Sequence, residues 1–110
     1  MKPKKPAKLQ PSPAQRMAAQ VEVAAELLKA LSNAQRLRVL CLLADGELTV
    51  GELNARVELS QSALSQHLAV LREHQMVNTR RESQTIYYSI AEGPVQKVIN
   101  TLHAIYCPLE

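Results

Sequence analysis

The chain has 110 residues and a formal net charge of +3, from 13 Lys and Arg against 10 Asp and Glu. This length allows one small domain, which excludes most multi-domain enzymes, and a domain that buries so little surface is expected to have a partner subunit. No apolar run reaches the length of a membrane span, and the basic start does not lead into the apolar stretch of a signal peptide. Two cysteines are too few for the disulfide scaffold of a small secreted protein. We therefore expect a cytoplasmic protein.

The first 13 residues form a basic tail. They contain no acidic residue, four of the six prolines, and four lysines at Lys2, Lys4, Lys5 and Lys8. Residues 14–110 therefore carry nine basic against ten acidic residues, a formal charge of −1. Because prolines interrupt a helix and the segment has little apolar surface, we expect disorder. Its role stays open between a solvated leader and an arm that adds salt-dependent, sequence-independent affinity for phosphates.

Two helices are predicted between the tail and Gly46. Apolar residues recur every three or four positions over about residues 14–31, as on one face of an amphipathic helix: Met17, Val21, Ala24, Leu28 and Leu31. Ser32, with Gln35 three residues later, matches a capping box that begins a second helix over about residues 33–44. That second helix is apolar on most sides, which predicts a central place in the core.

A short helix and a longer one follow. Thr49 and Glu52 match a second capping box, which opens the short helix. After a tight turn, Ser60 is a favourable N-cap for a helix that extends to about His74. At 100° per residue, this longer helix has a stripe of three inward-facing leucines at Leu64, Leu68 and Leu71.

The pattern then changes from helical to strand-like. Residues 77–81 and 85–90 contain β-branched residues and tyrosines, which predicts two strands joined by a polar hairpin loop at residues 82–84. Gly93-Pro94 suits the start of a last helix, because proline is favoured at the first helical position. The order of elements predicts a mainly α fold with a β-hairpin wing, a winged helix-turn-helix domain over residues 14–107.

Two surfaces of this fold have side chains suited to DNA contact. A helix that enters the major groove, about 12 Å wide, needs small or polar groups on its outer face. The longer helix has such groups at Gln61, Ser62, Ser65 and Gln66. The alternative for this face is ordinary solvation, although a solvated face is more often rich in Glu and Lys.

The hairpin has side chains that can reach the minor groove or flanking phosphates, at Arg80, Arg81, Gln84 and Thr85. Strand alternation points the two arginines to opposite faces, which favours a DNA contact from only one of them. Glu82 beside them weakens the positive field of the hairpin.

Three segments resemble the ArsR/SmtB family of bacterial winged-helix repressors: LLKALSNAQRLRVLCLL, ELTVGELNARVELSQSALSQHLAVLRE and VNTRRESQTIYYSI. The similarity covers about residues 20–107, and LSQSALSQHLAVLR, VGEL and LHAIYC narrow it to the HlyU/BigR/SqrR-like branch. The resemblance implies a homodimer formed by the first and last helices, at about residues 14–31 and 94–106, that binds an inverted-repeat operator in double-stranded DNA. It also implies regulation by sulfide-derived persulfide, polysulfide or another oxidant rather than by a metal.

The residues at the family's metal positions lack the required ligands. Metal-sensing members have cysteines in the helix that here begins ELTVGEL, at places held by Thr49 and Gly51. A second family site uses Asp, two His and Glu on the last helix, where this chain has only His103 and Glu110. Zinc needs three or four nitrogen or sulfur ligands, so we expect no metal ion, and we expect no cofactor.

The two cysteines have competing interpretations. Composition alone suggests a small buried hydrophobe for Cys41 and a near-terminal bystander for Cys107. The sulfide-sensing branch has a cysteine in each place, so the resemblance implies a redox switch that closes an intrasubunit disulfide or polysulfide bridge. The alternative function is a DNA-binding anti-silencer or architectural regulator with inert cysteines. A thiol enzyme would need an acid–base partner, and since no motif ties a His to either cysteine, we predict that the chain is not an enzyme.

Overall fold

The computed structural model describes residues 10–107. The elements of that range are α1 (Pro13–Leu31), α2 (Ala34–Leu43), β1 (Leu48–Thr49), α3 (Val50–Arg56), α4 (Gln61–Glu73), β2 (Val77–Glu82), β3 (Thr85–Ile90) and α5 (Pro94–Tyr106). The prediction of a mainly α chain with a β-hairpin is confirmed. Most of the basic tail, residues 1–9, lies outside the described residues, and the last two tail residues, Ser12 and Pro13, already serve as N-cap and first residue of α1.

The starts of α3 and α4 follow the predicted capping chemistry. The Thr49 hydroxyl accepts the Glu52 amide at 3.1 Å, and the Glu52 carboxylate accepts the Thr49 amide at 2.9 Å, which completes the capping box. The Ser60 hydroxyl accepts the Ala63 amide at 3.1 Å. Each contact satisfies an amide that the first turn of a helix leaves without a backbone partner.

The capping box predicted at the start of α2 is wrong. Asn33 is the N-cap, and its side-chain oxygen accepts the amides of Gln35 and Arg36 at 2.9 and 3.0 Å. Ser32 instead ends α1, where its hydroxyl donates to the Lys29 carbonyl at 2.9 Å. Only two residues separate the helices, and a side chain can cap only the helix end beside it. Ser32 therefore caps the end of α1, and Asn33 caps the start of α2.

The wing is a three-stranded sheet rather than a hairpin alone. The two-residue strand β1 pairs antiparallel with β3, which gives the order β1-β3-β2. The register places both Thr49 and Arg80 opposite Tyr87, so the three residues lie in one row across the sheet. β2 continues through Glu82, which shortens the predicted loop to two residues. A strand as short as β1 has no alternation that a sequence pattern could detect.

α2 lies at the centre of the core, as its apolar composition predicts. It packs against α1, α4 and β3, and its residues Val39, Leu40 and Leu43 are buried. The three leucines predicted to line the inner face of α4 are also buried. Full burial of such a side chain stabilises the fold by about 1.5–3 kcal/mol. This packing fixes the rotation of α4 and turns its polar face outward.

α1 and α5 leave apolar side chains uncovered. Of the stripe predicted on α1, Leu31 is buried, whereas Met17, Val21 and Leu28 are about half exposed. At the end of α5, Ile105 and Tyr106 are 60% and 76% exposed. Single exposed apolar residues are normal on a protein surface, whereas several together are typical of an interaction surface.

Candidate nucleic-acid interface and thiol cleft

The outer face of α4 is polar, exposed and close to the N-terminus of the helix. Gln61, Ser62, Ser65 and Gln66 are all exposed, as the sequence predicts. Ala69 continues the same face one turn later and is also exposed, which leaves room for close approach to a surface. Because the opposite face is held by the core, these side chains present a rigid surface of hydrogen-bonding groups that fits a major groove.

A side-chain hydrogen bond that sequence reasoning missed fixes the turn between α3 and α4. The Asn54 amide donates to the Leu59 carbonyl at 2.9 Å and is half-buried. The contact joins the last turn of α3 to the residue before the Ser60 cap. No sequence motif predicts this hydrogen bond from a single Asn near the end of a short helix.

The two wing arginines lie in different environments. Arg81, Gln84 and Thr85 are exposed, as a DNA-contacting wing requires. The Arg80 guanidinium, by contrast, makes two hydrogen bonds to Glu47, from Nε at 3.0 Å and from Nη2 at 2.9 Å.

Further contacts hold the Arg80 guanidinium in place. Its Nη1 contacts a carboxylate oxygen of Glu82 at 3.4 Å. Its central carbon lies 4.5 Å from the centroid of the Tyr87 ring. The hydrogen bond from Arg80 holds the pKa of Glu47 below its usual value, and the same bond is the main reason that the pKa of Arg80 is raised. Both groups therefore stay charged over the ordinary pH range.

The cysteines face one cleft between α2 and α5. This cavity of about 880 Å³ is lined by Cys41 from α2 and Cys107 from the end of α5, together with Arg38, Asn100 and His103. Both thiols are free and exposed, so the interpretation of Cys41 as a buried hydrophobe is wrong. The rotation of α2 explains this, because the helix buries Val39, Leu40 and Leu43 and turns Cys41 toward α5.

The cleft affects the chemistry of the two thiols. Partial burial is the main cause that raises the pKa of Cys41, and the nearby Cys107 raises it further. Negative charge at Cys107 thus disfavours the thiolate form of Cys41 across the cleft. The sequence separates them by 66 positions, so their juxtaposition depends on the docking of α5 along α2.

Within residues 10–107, no group of three or more His, Cys, Asp or Glu side chains is placed to hold a metal ion. None of the helices in the described part of the chain is both long and apolar enough to cross a membrane.

Comparisons with known proteins agree with the arrangement of elements. The sequence profile of the family described as "Bacterial regulatory protein, arsR family" matches residues 33–79. The transcriptional activator HlyU of Vibrio cholerae is 57% identical over 81 residues, which cover 74% of this chain and 75% of the relative. The biofilm growth-associated repressor of Agrobacterium fabrum is 48% identical over 84 residues, which cover 76% of this chain and 72% of the relative.

A solved structure shows the same fold. Reduced HlyU from Vibrio cholerae superposes with a TM-score of 0.79 at 53% identity, and the match covers 84% of this chain and 98% of that one. The prediction of a winged helix-turn-helix is thereby confirmed.

Proposed function

This chain belongs to the ArsR family of bacterial regulatory proteins, and from that membership we propose that it is a homodimeric repressor whose operator binding is switched by its two cysteines. Its relatives are transcriptional regulators and not enzymes, and the chain is a transcriptional regulator of the same family. The observation that carries the proposed switch is the cleft that Cys41 and Cys107 both line, between the central helix of the core and the last helix.

In this proposal α4 enters the major groove of the operator. Gln61 and Gln66 bind base edges, and Ser62 and Ser65 bind bases or phosphates. The exposure of all four side chains on the face opposite the buried leucines supports this assignment. The wing adds contacts to the minor groove or to flanking phosphates from Arg81, and from the hairpin residues Gln84 and Thr85.

The dimer brings two such α4 helices to the two halves of an inverted repeat. The uncovered apolar side chains of α1 and α5 support an interface formed by these helices, because their burial against a second copy would remove them from water. Two symmetric reading helices must lie about one DNA turn, roughly 34–36 Å, apart.

The switch is a thiol–persulfide exchange. One cysteine thiolate attacks the outer sulfur of a persulfide RSSH, which forms a protein persulfide and releases the thiolate of RSH. The second cysteine thiolate attacks the sulfur bound to the first cysteine, which forms the disulfide and releases hydrosulfide. Two protein thiols and one RSSH thus give one disulfide, one RSH and one H₂S, so the cysteines are oxidised and the sulfane sulfur is reduced. Further sulfane transfer before closure gives a polysulfide bridge.

The bridge ties the end of α5 to α2 in the same subunit. Because α5 carries part of the dimer interface and α2 carries the core behind α4, the bridge rotates one reading helix relative to the other. A change in their separation weakens operator binding, since the two half-sites have a fixed spacing.

The test uses a duplex selected by the reduced protein from a random-sequence library. The protein is tested in its reduced form and after treatment with tetrasulfide, a polysulfide that supplies sulfane sulfur. Gel-shift titration is expected to show at least a tenfold loss of affinity after treatment, which corresponds to about 1.4 kcal/mol of binding free energy. Cys41→Ser and Cys107→Ser are matched controls that keep full affinity after treatment and yield no bridge in intact mass spectrometry. Equal affinity of the treated and untreated protein would contradict the switch.

A second candidate is a DNA-binding anti-silencer or architectural regulator with inert cysteines. The name of the relative from Vibrio cholerae, a transcriptional activator, favours it. This candidate predicts that treatment leaves affinity for the selected duplex unchanged, while the reduced protein displaces a competing DNA-binding protein from the same duplex.

A further inference from the structure

Arg80 and Glu47 form an ion pair that spans the whole sheet of the wing. Arg80 lies on β2, Glu47 immediately precedes β1, and β3 lies between these two strands. The Arg80 side chain crosses β3 above the Tyr87 ring and reaches the Glu47 carboxylate with two parallel hydrogen bonds. This bidentate geometry fixes both the distance and the orientation of the two groups.

The pair leaves Arg80 poorly suited to bind phosphate. Its guanidinium is shared between the carboxylates of Glu47 and Glu82, so the local formal charge is −1. A phosphate would have to displace one carboxylate and approach the other. Arg81 is on the opposite face of β2, is exposed, and makes no ion pair with any residue in the range 10–107.

Glu47 also connects the wing to the helix that carries Cys41. It follows α2 after a three-residue turn, and two residues of that turn, Ala44 and Asp45, line the thiol cleft. Gly46 has φ of 147°, a conformation that other residues rarely adopt, and its amide donates to the Leu43 carbonyl at 3.1 Å. Only this three-residue turn separates the end of α2 from Glu47.

We propose that the Glu47–Arg80 pair is the mechanical link between the thiol cleft and the wing, with Arg80 acting as a positioning residue rather than a phosphate contact. The proposal rests on the thiol switch described above and adds how the switch reaches the second DNA contact. When the bridge forms, the end of α2 moves and Glu47 moves with it. Because Arg80 is hydrogen-bonded to Glu47, β2 shifts as well, and the hairpin tip at residues 83–84 leaves its position on the DNA. The reading helix and the wing then lose their contacts together.

The experiment measures affinity for the selected duplex before and after tetrasulfide treatment, at several salt concentrations. Glu47→Gln and Arg80→Gln are the test variants, and Arg81→Gln on the neighbouring position is the matched control. Both test variants should reduce the treated-to-untreated ratio of Kd by about two- to tenfold, because they break a step of the coupling. Neither should change the dependence of log K on log salt, because no phosphate contact is lost.

The control is expected to behave in the opposite way. Arg81→Gln should lower the salt slope by about 0.9, the value for one phosphate, and should keep the wild-type ratio of Kd after and before treatment.

A charge-reversed double variant tests the pair itself. Glu47→Arg combined with Arg80→Glu should restore part of the treated-to-untreated ratio of Kd, because it rebuilds the pair across the sheet. If the two residues acted independently of each other, the double variant would show no such rescue. Thermal unfolding of each variant verifies that it is folded.

Two outcomes would overturn the inference. If Arg80→Gln lowers the salt slope by about 0.9, Arg80 contacts a phosphate directly. If treatment weakens DNA binding equally in the wild-type protein and in both test variants, the Glu47–Arg80 pair does not couple the thiol cleft to the wing. A wild-type protein that does not respond at all would overturn the thiol switch itself, so failure of the switch is distinguishable from failure of the link.

Discussion

The molecule has two exposed surfaces of opposite character, and they depend on partners in different ways. The outer face of α4 is polar and the leucine stripe on the opposite side is buried, so this face is stable in water without a partner. The second surface consists of the exposed apolar side chains of α1 and α5, whose burial in the proposed dimer would remove them from water. Substitutions on the first surface should therefore change DNA binding alone, whereas those on the second should change assembly first and DNA binding as a result.

The largest effect is expected where the polar surface meets the core. Leu64→Ala removes a fully buried side chain on the inner side of α4 and should lower the free energy of unfolding by about 2–5 kcal/mol. Gln66→Ala, on the exposed side of the same helix, should change it by less than about 0.5 kcal/mol. Urea unfolding followed by circular dichroism measures both. Similar losses for the two variants would mean that the faces of α4 are wrongly assigned.

The apolar surface can be tested by placing a charge on it. Val21→Glu puts a carboxylate among the uncovered side chains of α1 and should raise the dissociation constant of the dimer by about 30-fold, which corresponds to about 2 kcal/mol. Analytical ultracentrifugation of the reduced protein measures this change. Gln20→Glu adds the same charge one residue away and serves as control. A wild-type protein that sediments as a monomer would contradict the proposed interface.

A smaller effect is expected from the polar surface alone. Gln66→Ala should reduce discrimination against a changed base pair by about 1–3 kcal/mol while the protein remains a dimer. Competition between the selected duplex and its single-base variants measures the loss.

Deletion of residues 1–9 tests the role of the basic tail. If the tail is an electrostatic arm, its deletion flattens the salt dependence of DNA binding and leaves discrimination between base pairs intact. Loss of discrimination on tail deletion would show that the tail reads sequence.

The smallest effect concerns the thiol cleft. Cys107→Ser removes one of the two causes that raise the pKa of Cys41, so this pKa should fall toward its ordinary value while the effect of partial burial remains. More Cys41 is then thiolate at any pH near the pKa, and alkylation should be faster. The pH dependence of iodoacetamide labelling, followed by mass spectrometry, detects the change. An unchanged profile would mean that the two sulfurs do not interact.

Features that depend on neighbouring residues could be predicted from the sequence. The capping box at Thr49, the cap at Ser60 and the spacing of the α4 leucines all involve residues within one or two helical turns. These interactions form between groups that the chain already holds close together, so their pattern is visible in the order of residues. The outer face of α4 follows directly from the spacing of the leucines on the other side.

Features that depend on distant residues could not be predicted in this way. The pairing of β1 with β3 and the contact of Glu47 with Arg80 join segments that meet only after the sheet has formed. At α2, Ser32 and Asn33 are both good caps, and only the end of α1 decides between them. The exposure of Cys41 depends on which side of α2 the other helices cover. Tertiary packing makes these choices, and local propensity does not encode them.

The open mouth of the thiol cleft has a practical consequence for making a defined state of the protein. Because both sulfurs are free and accessible from the same side, a rigid reagent with two thiol-reactive carbons, such as dibromomaleimide, should staple α5 to α2 without any oxidant. The product would be a single stable species, resistant to the cell's reducing agents. It would separate the mechanical effect of joining the two helices from the redox chemistry of the proposed switch.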